Sequence, residues 1–361
     1  MSSSTTKPDA SAGKKPSDLA RESANNYPWY SPRFWNGMRV GGFARLLSEN
    51  GFRIHPSRWP MTVLGSATSS FNTVMSLAQR VTHGGRVDRE ELVAPPVFIT
   101  GHWRSGTTLM HELMSLDPGL AFPNNYDAFS PGHALLTGPL FSRFVDVLMP
   151  GQRPMDDMGM RAFSPCEDDF ALISLGAPTP YRRIAFPNNR NDDHRQLDTA
   201  NLTDKQRRQL TDALESFFKM LSVRYGQRLV LKSPPHTGRI GLLAEKFPGA
   251  KFVHMSRHPE KVMASTMRLW KLIDHFQGFQ RAGYDDNWLK EFVFECQQLM
   301  YTSYFRDRAA LQDNQLIEIR MEQLVAEPAA TIKQVYDQLD LGDCGDVLPL
   351  VEGYFGKRDY R

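Results

Sequence analysis

Gly101 and Gly106 bracket the run Gly101-His102-Trp103-Arg104-Ser105-Gly106-Thr107-Thr108, which sets one guanidinium and three hydroxyls among two glycines. Glycines let a backbone turn tightly and approach a ligand closely, and the guanidinium and hydroxyls donate hydrogen bonds, so the set suits a phosphate or similar oxyanion. Its flanks say where it sits. Val97-Phe98-Ile99-Thr100 is a short apolar run that predicts a buried parallel strand, and Leu109, Met110, Leu113, Met114 and Leu116 recur at helical spacing after it. A loop between a strand and a helix start adds free backbone N–H groups and the positive end of the helix dipole.

A nucleotide-triphosphate P-loop wants a lysine directly after the second glycine, and Thr107 stands there instead. The usual contact to β- and γ-phosphates is therefore missing, and no later strand ends in an unambiguous metal-binding Asp. A second cluster lies at Phe252-Val253-His254-Met255, a predicted buried strand after the Pro248-Gly249 turn and before a helix over residues 261–270. Arg257 and Ser265, eight residues apart, follow that strand. A third lies at Leu229-Val230-Leu231-Lys232-Ser233-Pro234-Pro235-His236, where Lys232 closes an otherwise apolar strand at the edge where ligands collect in open α/β sheets.

The three clusters, in this order and with these spacings, together with Phe247-Pro248-Gly249-Ala250 and Arg320-Met321-Glu322-Gln323-Leu324, resemble a bacterial family of sulfotransferases that use 3'-phosphoadenosine 5'-phosphosulfate (PAPS). The resemblance covers residues from about 93 onward. It implies a 5'-phosphosulfate loop of Arg104, Ser105, Gly106, Thr107 and Thr108, a 3'-phosphate site of Arg257 and Ser265, and a catalytic Lys232, similar to the lysine of the Lys-x-Pro element in tyrosylprotein sulfotransferases. Arg104 would also neutralise the leaving charge. Two departures stand out: Leu109 follows the Thr-Thr pair where cytosolic sulfotransferases often carry an adenine-contacting tryptophan, and Asn125 stands where protein-tyrosine sulfotransferases place a glutamate base.

Sulfonate transfer also needs a proton acceptor. Glu167, in Pro165-Cys166-Glu167-Asp168-Asp169, matches an acidic element of the resembled family and could act as the base, or it could simply favour a helix start. His236, close to Lys232 in sequence, is the alternative base. His111 is read as structural. His254 and His258 lie roughly 13 Å apart on an extended strand, too far for one ion, and a pair without a third ligand makes no metal site. No metal is expected.

The remaining chain frames these residues. The 43 basic and 40 acidic residues give a net charge of +3, which makes no general case for nucleic acid, and three widely spaced cysteines show neither zinc spacing nor a disulfide framework. A cytoplasmic location is the expectation. Residues 1–26 are polar and expected to be disordered, without an apolar core of signal-peptide length. Residues 27–91 read as an N-terminal helical arm. Aromatics from Tyr27 to Trp59 either anchor it to the core or meet a membrane surface or the acceptor. Residues 61–81 predict a helix too rich in Thr, Ser, Asn and Gln to span a bilayer.

Residues 92–361 read as the catalytic domain, with residues 118–201 a helical lid rich in Pro, Gly, Met and aromatics. Helices are predicted over 203–225, 240–247, 288–308 and 329–339, with a strand at 316–319. Together these predict an α/β fold: a P-loop-like, three-layer architecture with a central parallel sheet flanked by helices. The family's members generally continue past Arg361, which implies a cut or short C-terminus. The expected activity moves sulfonate from PAPS to an acceptor hydroxyl or amine on a small molecule, lipid or carbohydrate, with no nucleic-acid partner, no transmembrane segment and room for peripheral membrane contact. The competing readings are a nucleotide kinase or hydrolase of P-loop architecture and a noncatalytic protein that binds the desulfonated nucleotide (PAP).

Overall fold

The computed structural model describes residues 31–139 and 163–356, with the backbone of two short strands between them. The expected disordered tail lies outside the described residues. Five parallel strands form the central sheet in the order β2-β5-β1-β6-β7: β1 Val97–Thr100, β2 Leu120–Ala121, β5 Arg228–Lys232, β6 Lys251–Ser256 and β7 Leu316–Arg320. A hairpin of β3 Gly151–Gln152 and β4 Gly159–Met160 stands apart from it. The fold is the expected α/β sandwich around a parallel sheet.

Alternation along the strands explains the layers. Phe98, Leu229, Leu231 and Phe252 face a core shared with helix Asp204–Tyr225, whereas Val97, Ile99, Val230, Val253 and Ile317 face one shared with helices Thr107–Met114 and Pro328–Leu339. Both faces of central β1 are covered and all four of its residues are buried, whereas β7 alternates buried Ile317 and Ile319 with exposed Glu318 and Arg320. In register, Ile99 lies beside Lys232 on β5 and Val253 on β6, and Thr100 beside His254. The loop after β1, Lys232 and Arg257 therefore all emerge at one edge of the sheet.

Among the described residues, 118–201 begin with β2, which joins the sheet, and include short helices, Asn125–Phe129 and Asp169–Leu175, and a series of 3₁₀ turns. Pro180 and Pro187 start two of those turns and cannot extend the helical hydrogen-bond ladder. Two residues of strand after Pro118-Gly119 are also too few to show a period.

The N-terminal arm comprises helices Val40–Glu49 and Trp59–Arg89. Of the arm's aromatics, Tyr27, Trp29 and Tyr30 lie outside the described residues and Phe52 and Trp59 are exposed, while Phe34 stacks on Phe170 with centroids 4.2 Å apart and the Trp35 indole donates to the Gln277 carbonyl at 2.7 Å. Burying each such ring is worth about 2 to 3 kcal/mol. Among the described helices, none is long and apolar enough to cross a membrane.

Candidate active site

The loop after β1 owes its shape to three left-handed residues, Gly101 (φ 138°), Arg104 (φ 68°) and Gly106 (φ 103°). A Cβ on Gly101 would lie 2.4 Å from the Met255 carbonyl oxygen and 2.6 Å from Ser105 Oγ, and one on Gly106 would lie 2.4 Å from Met321 Sδ. Both glycines are thus required twice, by angle and by space. The Gly101 amide donates to Thr237 Oγ1 at 2.7 Å, which ties the loop to the segment after β5.

Arg257 and Ser265 converge on this loop from the far side of β6. Arg257 Nη1 donates to the Arg104 carbonyl at 3.3 Å, and Arg104 Nε donates to Ser265 Oγ at 3.0 Å. Helix Pro259–Gln277 carries Ser265 back to the loop, as the eight-residue spacing requires. Ser265 therefore also orients Arg104, a link that spacing alone does not reveal.

A cavity of about 240 Å³ opens beside them. Arg104, Gly106, Thr107, Thr108 and Arg257 line one part, Glu167 and Tyr181 another, and Phe34, Phe170, Ile184, Leu269 and Ile273 supply an apolar wall. Leu109 also lines it. Lys232, buried at the end of β5, donates from Nζ to Glu167 Oε1 at 2.8 Å, while the Tyr181 hydroxyl donates to Oε2 at 2.7 Å.

A family profile described as the sulfotransferase family matches residues 95–343. The chain belongs to the sulfotransferase family. It is 34% identical over 334 residues to the omega-hydroxy-beta-dihydromenaquinone-9 sulfotransferase Stf3 of Mycobacterium bovis and to its namesake in Mycobacterium tuberculosis, covering 92% of this chain and 85% of each relative. Its fold is similar to that of sulfotransferase STF9 from Mycobacterium avium (TM-score 0.69, 17% identity, 98% of this chain and 90% of that one). Sulfotransferase STF1 from Mycobacterium tuberculosis is also similar (TM-score 0.61, 15% identity, 96% and 99%). At these identities the two structures bear on fold alone.

In this sulfotransferase the acidic element is met residue by residue by the segment after β5. Glu167 pairs with Lys232, Asp168 Oδ2 lies 2.6 Å from His236 Nε2, and Asp169 accepts from Arg239 at 2.8 and 3.2 Å. Burial raises the Asp169 carboxyl, but Arg239 and His236 outweigh it and hold the pKa below the ordinary value. Asp168, Asp169 and His236 bring three ligand-type atoms within 4.8 Å, yet the imidazole and the Arg239 guanidinium already meet both carboxylates. The cluster thus forms an ion-pair network beneath the site.

The network separates the two candidate bases. Glu167 reaches the cavity, while His236 is fully buried, with Nε2 on Asp168 and Nδ1 3.5 Å from Arg239 Nη1. His111 is buried too; desolvation and the nearby Lys232 charge lower its pKa to about 3. His254 bonds Thr100 Oγ1 at 3.1 Å and stacks on Tyr304 within the core, whereas His258 is exposed. Ser105 lies beneath the loop rather than along the cavity, its hydroxyl without a partner among the described residues.

Sequence reasoning missed Tyr181, Trp103 and Arg239. Trp103 Nε1 donates to the Tyr181 hydroxyl at 2.8 Å, so a chain of hydrogen bonds runs from the glycine loop to Glu167. Burial, then the charges of Glu167 and Asp169, push the Tyr181 pKa well above its ordinary value, which keeps the phenol a donor at all working pH. A usable signal existed: Glu167-Asp168-Asp169 is answered in sequence by Lys232, His236 and Arg239, all three of them basic.

Proposed function

We propose that this enzyme moves the sulfonate of PAPS onto the hydroxyl of an apolar, lipid-like acceptor by in-line displacement. One observation carries the reading: a single cavity joins the phosphate-loop residues, an apolar wall and Glu167, whose carboxylate holds the buried Lys232 ammonium. The residues present fit the nucleotide. Arg104 and Arg257 bring two guanidiniums to one end, and Thr107 and Thr108, at the start of the helix after the loop, line the cavity beside them. PAPS supplies the activated sulfonate. A hydroxyl on a prenylated quinone is the favoured acceptor, because the Stf3 relatives bear the name of such an activity and the wall here is aromatic and aliphatic. An amine is less suited to that wall.

Each remaining task falls to a residue of this chain. Arg104 and Arg257 hold phosphate charge, and Lys232 offers an ammonium to the charge that develops on the sulfonate and bridging oxygens. Glu167 takes the acceptor proton. In the structure Lys232 covers Oε1, so an ammonium that turns toward an anion in the cavity uncovers that oxygen as a proton acceptor. Tyr181 meanwhile keeps Oε2 fixed, with Trp103 behind it. The missing P-loop lysine speaks against a kinase or hydrolase, and Glu167 in the cavity wall, backed by Lys232, speaks against a protein that only binds PAP.

The pH profile tests the base. Wild-type kcat is expected to fall on the acid side, as general-base catalysis requires. Glu167→Gln should bind PAP normally, lose about 10² to 10⁴ in kcat and lose that acid limb. If His236→Asn removes the limb instead, with Glu167→Gln retaining it, the role passes to the imidazole.

A further inference from the structure

Helix Trp59–Arg89 buries one face on the protein and presents the other outward. On the outer face Trp59, Val63, Val74, Leu77 and Val81 are each more than half exposed, rising to 86% at Val81. At 100° per residue these five positions fall within a stripe about 60° wide. From Trp59 to Gln79 the chain contains no charged residue, and Ser66, Ala67 and Ser70 fill the exposed gaps. A solvated helix face normally carries charge along such a length.

Charge gathers around the stripe instead. The arm, residues 27–91, holds eight arginines against Glu49, Asp88, Glu90 and Glu91, a net of four positive charges in a chain whose total is +3; Arg33 is buried and Arg80 pairs with Asp88 at 2.8 Å. Arg53 and Arg58 precede the uncharged run and Arg80 closes it. The Val40 amide donates to Thr73 Oγ1 at 3.0 Å, which sets exposed Val40 and Arg39 beside Val74. Apolar side chains flanked by arginines such as Arg39 and Arg53 suit the interface of an anionic bilayer, where the rings and aliphatic chains enter the headgroup region and the guanidiniums meet phosphates.

We propose that this outer face docks the enzyme on an anionic lipid surface. The inference stands on the arm alone and goes beyond the acceptor reading, although the two meet: Asn36 Nδ2 bonds Thr68 Oγ1 at 3.2 Å and Asn72 Nδ2 bonds the Asn36 carbonyl at 2.6 Å, which joins the helix to the segment that carries Phe34 to the cavity wall. Docking would set the cavity's apolar wall close to where a lipid acceptor resides.

The test is cosedimentation of the full chain, without nucleotide or acceptor, with vesicles of phosphatidylcholine alone or containing about 30% phosphatidylglycerol. Binding should be at least about tenfold tighter to the anionic vesicles and weaken with added salt. Val74→Asp/Leu77→Asp should lose about tenfold or more of that binding with an unchanged melting temperature, since both side chains face outward. Val74→Ser/Leu77→Ser provides a milder reading should the charged pair disturb folding. Turnover of a detergent-dispersed acceptor should be the same in all three proteins, so that loss of docking and loss of catalysis are separable. Equal or absent binding to both vesicle types overturns the proposal. So does a dimer in light scattering that the same substitutions dissociate, which would assign the stripe to a second copy of the chain.

Discussion

Lys232→Met is expected to lower kcat by about 100-fold or more while PAP binds within a few-fold of wild type. The lysine is buried at the end of β5, and its ammonium lies on Glu167 at the join between the phosphate loop and the apolar wall. Methionine keeps the volume and removes the charge. It also leaves the largely buried Glu167 with the Tyr181 hydroxyl but without its cation, so a loss of about 3 kcal/mol of stability should accompany the loss of rate. The double variant Lys232→Met/Glu167→Gln separates the two effects. It removes the unpaired charge and should recover most of the melting temperature while activity stays low. Near-normal turnover in the single variant would take Lys232 out of the mechanism.

Arg257→Ala is expected to weaken PAP binding by roughly 2 to 4 kcal/mol, a Kd about 30- to 1000-fold higher. Arg257, which follows β6, lines the cavity beside the glycine loop. Adenosine 5'-phosphosulfate, which lacks the 3'-phosphate, should bind weakly to wild type and change little. Ser265 behaves differently from the expectation drawn from spacing. Because its hydroxyl accepts from Arg104 Nε, Ser265→Ala should weaken both nucleotides, by less than Arg257→Ala weakens PAP. Calorimetry with the two nucleotides checks this. Equal losses for both with Arg257→Ala would assign that arginine to the loop carbonyl it holds rather than to the 3'-phosphate.

Much of this arrangement was legible in the sequence because it is local. The strand, loop and helix at Val97–Met114 are encoded by β-branched residues, two obligatory glycines and helical spacing within twenty positions, and Lys232 betrays its place by closing an apolar strand. Arg257 and Ser265 are set by one turn and one helix. The parts that were not legible depend on chain segments far apart. The pairing of Glu167, Asp168 and Asp169 with Lys232, His236 and Arg239 spans 65 to 70 residues, and Tyr181 reaches Glu167 from a 3₁₀ turn with no periodic signal. Phe34 joins the cavity wall from an arm that spacing could only mark as aromatic. For the same reason the sequence offered Glu167 as the base with His236 as its alternative, without showing that Glu167 lines the cavity while His236 is buried within the network.

Transfer from radiolabelled PAPS, measured with a chelator present, tests the central claim most directly. The acceptors are a prenylated quinone bearing a terminal hydroxyl and its counterpart without that hydroxyl, both dispersed in detergent. The account predicts that label enters the lipid extract only with the hydroxylated quinone, one sulfonate for each PAP released. Label that fails to enter any lipid hydroxyl while PAPS is consumed, or turnover of Mg-ATP in its place, would contradict it.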